Sequence, residues 1–516
     1  MSLSQTVLHW FDDQPQTFLH HPFSFSFLLF LSLIFLLWIN SLWVTKSSNL
    51  PPSPPKLPII GHLHYLSTLP HRSFHALSQK YGPIMLLNLG CTPTLVVSST
   101  EIVKKIIKIH EVIFSNRPMT TAVKVFLYGG KDLAFAPYGD YWKQARKMCV
   151  MDLLSANRVR SFRFIREEEA SNMVNKIKQY SSSIGTNVNL STMIVGATNS
   201  IISRAALSRN LEGERGGNQY ADLANEVMDL FGVFCMKDVF PSLGWVDVLT
   251  GLDARMKRCS KEIHEFLDEV IEDHLVSRKP DDRKDLVDLV LHYHKDPTLG
   301  VELTRANLRT IILDMFVAGT NTMYTAVEST MAELMNHPIV MKKLQEEVRR
   351  VVGTKSTVGE NDINQMSYLN CVVKEALRLH PPVILSGPRE TTKSVELEGY
   401  NIPAKTRVLI NLWTISRDPK IWDRPDEFMP ERFMNNPIDY ISKDFTLITF
   451  GGGRRICPGI SFALTSVENI LASLLYWFDW EMPSGAEKKD IDMTESFGLT
   501  VNLKYPLILV PVSHFS

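Results

Sequence analysis

The sequence predicts a mainly α-helical protein with small β-sheets, preceded by one N-terminal transmembrane helix. Three observations carry this prediction: an uncharged apolar stretch near the start, a helical period of apolar positions over most of the chain, and one strand–turn–strand pattern. Of the 516 residues, 45% are hydrophobic and 21% charged, so the chain can form a large buried core. The 55 basic and 55 acidic side chains balance, and we expect no nucleic acid partner.

The apolar stretch covers residues 23–44 and contains no formal charge. As a helix it is long enough to cross about 30 Å of hydrocarbon, which predicts a transmembrane anchor. Residues 1–22 contain no Lys or Arg, which is atypical of a cleaved signal peptide. The first positive charges, Lys46 and Lys56, follow the stretch, so the positive-inside rule places everything downstream on the cytoplasmic face. A buried core helix is the alternative, disfavoured by the terminal position and the prolines that follow.

A proline-rich linker follows at residues 45–61, where PPSPP places four prolines in five positions. This run excludes a helix, and it is either a stiff strut that orients the body on the membrane or an ordinary linker. No composition break divides residues 62–516, which we expect to form one large domain. Within it, residues 84–98 predict a hairpin around a turn at Gly90 to Pro93. The six cysteines are scattered and are expected to be reduced thiols.

The longest predicted helix runs from Thr304 to His337, about 50 Å at 1.5 Å per residue, and so must cross the core. Its middle reads AGTNTM, residues 318–323, although Gly, Thr and Asn all weaken a helix interior. Two interpretations remain open from the residues alone. The patch either forms a ligand or cofactor site, or its small residues admit a neighbouring helix.

The second unusual segment, FGGGRRICPG, covers residues 450–459. Three glycines allow the main chain to approach a flat ligand closely, and a cysteine among backbone N–H groups can be held as a thiolate. Zinc would require further ligands at short spacing, and a phosphate loop would end in Gly-Lys-Ser/Thr; neither pattern is present. A single thiolate on haem iron, with the opposite axial position open, fits best.

FGGGRRICPG resembles the haem-thiolate loop of the cytochromes P450, whose pattern is Phe, two residues, Gly, one residue, Arg, one residue, Cys, one residue, Gly. Further landmarks follow the family's order: WKQAR at 142–146, KEALRLHPP at 374–382 and FMPERF at 428–433. The proline strut and the variants of these motifs look most like plant endoplasmic-reticulum enzymes of specialised metabolism, the A-type enzymes of the 71 clan. The resemblance implies the cytochrome P450 fold and a haem b cofactor.

The resemblance also implies roles for individual residues. Cys457 is the expected axial ligand of the haem iron, with Phe450 in the same loop. Glu375, Arg378 and Arg432 resemble the family's buried structural cluster. The residues expected to bind the haem are Trp142, Arg146, Arg389 and Arg455, the arginines through its propionates, because a guanidinium suits a carboxylate.

In the family, the AGTNTM segment lies over the open face of the haem, with an acid–alcohol pair that relays protons. Gly319 then makes room for dioxygen and Thr322 supplies the hydroxyl. Asn321 departs from the usual Asp or Glu; because an amide cannot titrate, it can only orient a water that delivers the proton. Thr322 and Asn321 are the expected catalytic residues.

These implications predict an NADPH- and O2-dependent monooxygenase that oxidises a lipophilic small molecule of terpenoid or phenylpropanoid type. No dinucleotide fingerprint is present, so electrons from NADPH are expected through a separate flavoprotein reductase, docked near Lys143, Lys147 and Arg454. We expect a monomer on membrane lipid, single-pass in the endoplasmic reticulum, with residues 1–22 lumenal. The alternatives are a hydroperoxide-rearranging or dehydratase-type enzyme and a non-catalytic haem sensor.

Substrate-facing segments are assigned by the same analogy. They are the loop at residues 119–129, the ranges 231–234, 312–320 and 383–386, and SFGLT at 496–500. Their mainly aliphatic and aromatic side chains suit an uncharged, lipophilic ligand.

Overall fold

The computed structural model describes residues 26–33, 49–181, 186–211, 217–276, 284–295, 300–441, 444–484 and 491–515. Of the predicted anchor, only residues 26–33 are among these; they are helical and their side chains are exposed. The remainder of the predicted anchor and the preceding residues 1–22 lie outside the described part of the chain.

Helices dominate the described residues, as the apolar periodicity predicts. In chain order they are α1 Pro70–Tyr81, α2 Thr100–Lys108, α3 Thr121–Phe126, α4 Asp140–Met148, α5 Ala156–Ser161, α6 Arg163–Ser181, α7 Leu190–Leu207, α8 Gly217–Gly232, α9 Met236–Val239, α10 Trp245–Leu249, α11 Leu252–Val276, α12 Leu286–His294, α13 Arg305–Asn336, α14 Pro338–Val352, α15 Glu360–Ile363, α16 Ser367–Leu379, α17 Leu412–Ile415 and α18 Ile460–Trp477. A π-helical turn, Cys149–Leu153, continues α4 directly.

The strands form small sheets around this helical body, which confirms the mainly helical fold with small β-sheets; the transmembrane helix stays a prediction. They are β1 Ile84–Leu89, β2 Thr92–Val97, β3 Val188–Asn189, β4 Arg389–Glu390, β5 Val395–Leu397, β6 Tyr400–Ile402, β7 Arg407–Ile410, β8 Phe478–Glu481, β9 Glu495–Ser496, β10 Asn502–Leu503 and β11 Ile508–Ser513. The largest sheet has the order β1-β2-β7-β4, in which β2 and β7 are parallel. The predicted hairpin is β1–β2, paired antiparallel from Ile84 opposite Val97, with Gly90 at φ +59° in the turn.

Helix α13 crosses the centre of the molecule, as its length predicts. Thr304 caps its start: the Thr304 N–H donates to Asn307 Oδ1 at 2.8 Å, and the Asn307 N–H donates to the Thr304 hydroxyl. The helix packs against α7 and α18, and its buried residues belong to the main hydrophobic core. A buried helix of this kind positions any polar group on it within the core.

The proline-rich segment is hydrogen-bonded to the body from residue 49 onward. The Asn401 N–H donates to the Asn49 carbonyl oxygen at 2.6 Å, and the Leu86 N–H donates to that of Pro52 at 3.1 Å. The His62 ring bonds the Pro54 carbonyl oxygen at 2.9 Å. These contacts fix the direction in which the chain leaves the folded body.

Among the described residues, one helix is long and apolar enough to cross a membrane, α18. It follows the cysteine loop directly, and 61% of it is buried within the protein. Its apolar character therefore reflects its place in the core.

Candidate active site

A cavity of about 400 Å³ lies at the centre of the molecule, against the middle of α13. The sulfur-bearing Cys457 and the hydroxyl-bearing Thr322 both line it. Most of the other lining side chains are apolar, contributed by α7, α8, α13, α18 and the loops between them. The two segments that the sequence singled out therefore meet across one apolar chamber.

The glycine-rich loop shapes the chamber floor around Cys457. Gly451 and Gly453 have φ of +74° and +67°, which side-chain-bearing residues rarely adopt. A Cβ on Gly453 would lie 2.3 Å from Glu111 Oε1, so the close approach of main chain also requires glycine there. The Cys457 N–H donates to the Phe450 carbonyl oxygen at 3.0 Å and closes the loop.

Opposing effects act on the pKa of the Cys457 thiol. Burial raises the pKa of its thiol, whereas the Gly459 N–H and the Arg146 charge oppose that rise. Phe450 also lines the cavity and packs edge-on against Tyr440, with ring centroids 5.0 Å apart. The loop thus holds one sulfur ligand, with a cation and a backbone donor nearby that favour its thiolate form.

Four arginines converge on the same side of the cavity without a carboxylate partner. Arg117, Arg146 and Arg455 line the cavity, and Arg389 is 4% exposed beside the loop. Their guanidiniums donate to main-chain carbonyl oxygens, for example Arg389 to Gly452 at 3.0 Å and Arg117 Nε to Ala134 at 3.0 Å. Among the described residues none of the four forms an ion pair.

This cationic cluster is unfavourable unless an anion joins it. Burial, followed by repulsion from neighbouring arginines, lowers the pKa of Arg455 to about 9 and that of Arg117 well below its usual value; burial alone lowers that of Arg389 to about 10. The carboxylate that acts on Arg117 and Arg455, Asp132, is itself shifted by burial, which raises its pKa to about 6. A group bearing two carboxylates would relieve the repulsion, so the cluster fits the propionates of haem.

Trp142 completes this side of the site. Its indole N–H donates to the Leu133 carbonyl oxygen at 3.0 Å, and the Arg455 guanidinium stacks on its ring at 4.2 Å. Helix α4 places Trp142 and Arg146 one turn apart, so both reach the cavity.

Helix α13 supplies the opposite wall. The Thr322 hydroxyl donates to the Ala318 carbonyl oxygen at 2.8 Å, and Ala318, Gly319 and Met323 line the cavity beside it. Asn321 is half-buried and does not line the cavity. A Cβ on Gly319 would lie 2.5 Å from Ile202 Cδ1 on α7. The small-residue patch therefore serves both interpretations that the sequence left open, a ligand chamber and a close helix crossing.

Comparisons with known proteins agree with this geometry. The family model "Cytochrome P450" matches residues 51–508. The chain belongs to the cytochrome P450 family. It is 53% identical to cytochrome P450 71A1 of Persea americana over 88% of this chain and 92% of that protein. It is 46% identical to phenylacetaldehyde oxime monooxygenase CYP71AN24 of Prunus mume, over 95% and 96%. A zebra fish cytochrome P450 solved with abiraterone superposes with a TM-score of 0.75 at 25% identity, covering 87% of this chain and all of that one.

As a cytochrome P450 of the plant 71 clan, this protein is a haem-thiolate monooxygenase. Members bind haem iron through a cysteine thiolate and receive electrons from a redox partner. The relatives include monooxygenases of plant specialised metabolism, and the chemistry is the oxidation of small molecules.

The structural cluster predicted in this cytochrome P450 is assembled behind the cavity. Glu375 and Arg378, both 0% exposed on α16, pair through two hydrogen bonds of 2.7 and 2.8 Å. Arg432 Nε donates to the same carboxylate at 2.9 Å, and so does the Met429 N–H at 2.8 Å. The remaining Arg378 donors bond main-chain carbonyl oxygens, including that of Ser416 at 2.6 Å. The cluster ties α16 to the loop that carries PERF.

The substrate-facing segments inferred by analogy reach the cavity only in part. The residues that line it are Leu127, Phe231, Val383, Ser386 and Leu499, together with several residues of the range 312–320. The rest point elsewhere, and residue 234 is 52% exposed.

The structure adds lining residues that sequence reasoning missed. They include Arg117, residues 133–135, and Ile202, Ala205 and Ala206 from α7. The loop residues carry no periodic signal, because an irregular segment is positioned by its hydrogen bonds to other elements rather than by its own sequence pattern.

Proposed function

We propose that this cytochrome P450 is an NADPH- and O2-dependent monooxygenase that oxidises a lipophilic plant metabolite of terpenoid or phenylpropanoid type. The observation that carries the proposal is that Cys457 and the hydroxyl-bearing Thr322 line the same apolar cavity. A phenyl-bearing substrate is named for one relative, phenylacetaldehyde oxime monooxygenase. The apolar lining supports a substrate of similar character.

The roles of the residues follow from their positions. Cys457 would ligate the haem iron, which when bound supplies the oxygen-activating chemistry. Arg117, Arg146, Arg389 and Arg455 would hold the propionates. The first of these was missed by sequence reasoning; burial and the neighbouring arginines lower its pKa well below the usual value.

Proton delivery falls to α13. The Thr322 hydroxyl donates its one proton to the Ala318 carbonyl oxygen, and its oxygen can accept a hydrogen bond from water. To pass a proton into the cavity, the hydroxyl would turn away from Ala318 and receive a replacement proton from that water. Asn321 has no titratable proton and does not line the cavity, so its part would be to orient a water on the outer side of Thr322. This arrangement favours oxygen activation over hydroperoxide rearrangement, which needs no hydroxyl there.

The experiment that tests the proposal is product mass spectrometry under 18O2. Microsomes containing the protein and its reductase would be incubated with terpenoids and phenolics, with and without NADPH. One labelled oxygen that appears only with NADPH supports the proposal. Unlabelled product formed without NADPH would instead indicate rearrangement or dehydration. Failure to consume NADPH with the reductase and any ligand present would favour a non-catalytic haem protein.

The membrane arrangement is part of the same proposal. Residues 23–44 would anchor the chain once in the endoplasmic reticulum, with residues 1–22 lumenal, a linker at 45–61 and a monomeric catalytic domain at 62–516 on the cytoplasmic side. The exposed apolar helical residues 26–33 support the anchor. Carbonate extraction and protease protection of microsomes test it; a chain released by carbonate, or a protected catalytic domain, would contradict it.

Reductase docking is proposed on the exposed residues Lys143, Lys147 and Arg454, near the cysteine loop. Lys143 pairs with Asp140 at 2.9 Å, and Arg454 pairs with Glu111 at 3.0 Å. Lys147 forms no ion pair among the described residues, so it is the best candidate for a contact with the reductase. Lys147→Glu should slow reduction by the reductase and weaken its salt dependence. An unchanged rate and salt dependence would remove this surface from the proposal.

A further inference from the structure

The β9–β10 hairpin near the end of the chain carries part of the cavity wall. Each of its strands has two residues, with Glu495 opposite Leu503 and Ser496 opposite Asn502. Leu499, in the loop between the strands, lines the cavity. A two-stranded hairpin is at best marginally stable by itself in water, so the position of this one depends on its contacts with other elements.

Glu495 fixes the hairpin to helix α1. Its Oε2 accepts hydrogen bonds from His71 Nε2 at 3.1 Å and from Arg72 Nε at 3.0 Å. The Glu495 side chain is 9% exposed and that of His71 is fully buried, so water competes little for this contact. Burial raises the pKa of Glu495, but the hydrogen bond from His71 and the charge of Arg72 outweigh it and lower the pKa to about 2. The carboxylate is therefore ionised at neutral pH.

His71 also connects the hairpin to a second segment of the cavity wall. The Phe497 ring in the hairpin loop stacks on the His71 ring, with centroids 6.2 Å apart and an angle of 19° between the planes. The His71 carbonyl oxygen accepts a hydrogen bond from Asn411 Nδ2 at 2.8 Å. Asn411 directly precedes Leu412, which lines the cavity. The contact partner of Glu495 is thus itself fixed to the cavity wall.

The hairpin loop meets the end of helix α8. A Cβ on Gly232, the last residue of α8, would lie 2.7 Å from the Leu499 nitrogen and 3.0 Å from the Gly498 carbonyl carbon. Phe231, the residue before Gly232, lines the cavity as Leu499 does. The main chains of the hairpin and α8 are therefore in close contact next to two lining side chains, and a shift of the hairpin would change the wall there.

We propose that Glu495 is a positioning residue for substrate selection. Through His71 and Arg72 it holds the hairpin so that Leu499 contacts the ligand, although Glu495 does not itself line the cavity. This inference rests on the proposed function, because the ligand concerned is the lipophilic substrate. A ligand that reaches Leu499 then depends on Glu495, whereas a small ligand confined to the haem iron does not.

The test uses two probes that coordinate haem iron through the same ring, imidazole and 1-(4-phenylbenzyl)imidazole, of which only the second has an apolar tail. Binding to the ferric holoenzyme would be followed by the shift of the haem absorbance, without reductase or NADPH. In the wild type we expect the tailed azole to bind about tenfold more tightly or better, because its tail contacts the apolar wall. Equal affinities would overturn the proposal.

Glu495→Ala removes the contact with α1. The affinity for the tailed azole should fall about five- to tenfold, which corresponds to the loss of about 40–55 Å² of apolar contact. The affinity for imidazole should stay within about twofold of the wild type. Glu495→Gln should lie closer to the wild type, because its amide oxygen can still accept a hydrogen bond from α1. A parallel loss for both azoles, or no loss for either, would refute the assignment.

A double-mutant cycle separates positioning from a general loss of stability. Leu499→Ala removes the wall contact directly and should itself weaken binding of the tailed azole. Because Glu495 acts through Leu499, adding Glu495→Ala to that variant should have little further effect. An undiminished effect of Glu495→Ala in the Leu499→Ala background would contradict the proposal.

Glu360→Ala is the matched control. Glu360 also pairs with a buried side chain, Arg166, and neither residue lines the cavity. This variant should lose stability but keep the wild-type ratio of the two azole affinities; a ratio that changes as in Glu495→Ala would reduce Glu495 to a stabilising role and overturn the proposal.

The spectrum of the reduced, CO-bound protein reports whether each variant keeps its thiolate-ligated haem. If Glu495→Ala does not fold, Arg72→Ala takes its place, because it removes the partner whose side chain is 51% exposed. The same selective loss for the tailed azole is expected there, and an unchanged ratio would refute the assignment. Because no turnover is measured, a failure here is distinct from failure of the 18O2 experiment.

Discussion

Replacing Glu375 by Gln should be among the most destabilising single changes in this cytochrome P450. The carboxylate is fully buried and accepts four hydrogen bonds, two from Arg378, one from Arg432 Nε and one from the Met429 N–H. In Glu375→Gln one acceptor oxygen becomes an NH2 group, which faces donors. The negative charge that neutralises two guanidiniums is lost as well.

The magnitude follows from those contacts. Each hydrogen bond to a charged group contributes about 1.5–3 kcal/mol, but the four share one carboxylate and do not add. Removing one partner of a buried ion pair costs about 3–5 kcal/mol, because the other charge remains buried and uncompensated. We therefore expect the free energy of unfolding to fall by about 3–5 kcal/mol, a large share of the roughly 5–15 kcal/mol typical of a folded protein.

The assay is urea unfolding of the haem-loaded protein, followed by far-UV circular dichroism and by haem absorbance. Glu431→Gln is the matched control, because Glu431 lies in the same PERF segment but its side chain is 42% exposed and pairs with Lys343 at 2.6 Å. An exposed pair contributes up to about 1 kcal/mol. If the two variants unfold within about 1 kcal/mol of each other, the cluster does not stabilise the fold as argued.

Three further predictions test other parts of the site. Asn321→Asp should raise the product formed per NADPH consumed, because a titratable group would join the relay; an unchanged ratio would show that Asn321 does not limit proton delivery. Arg389→Gln should speed haem transfer to excess apomyoglobin by about tenfold or more, the loss of one charge-assisted hydrogen bond; equal transfer rates would place the propionates elsewhere. Gly319→Ala should lower the free energy of unfolding by about 1–3 kcal/mol, because the added methyl group would clash with Ile202 Cδ1. The added change Ile202→Val should recover part of that loss; no recovery would contradict the clash between α13 and α7 as its cause.

A fifth prediction concerns pH. Burial raises the pKa of Glu333, but hydrogen bonds from His337 and His380 outweigh this and lower it to about 2. A depressed carboxyl pKa stabilises the fold above the unfolded value of 4.5, and that stability is lost as pH falls towards 2. The stability difference between wild type and Glu333→Gln should therefore shrink by about 1 kcal/mol between about pH 5 and about pH 3.5, as measured by urea unfolding. A difference that is constant with pH would contradict the pKa assignment.

The sequence by itself determined the elements and the family. The apolar period predicted α13 to within one residue at each end, because a buried helix must be apolar along its length and capped at its start. The β1–β2 hairpin followed from its turn residues. The resemblance of FGGGRRICPG predicted the haem-binding loop, since the loop needs glycine where the backbone has positive φ and approaches its neighbours closely.

Only the tertiary structure determined which side chains line the cavity together. Arg117 and Asp314 are far apart in sequence from each other and from Cys457, and no local pattern distinguishes a buried Arg or Asp from a solvated one. That Gly319 lies at a close helix crossing as well as on the cavity wall also depended on Ile202, more than a hundred residues earlier. Local propensity fixes helices and turns, whereas the burial and partners of a charged side chain depend on which distant segments fold against it.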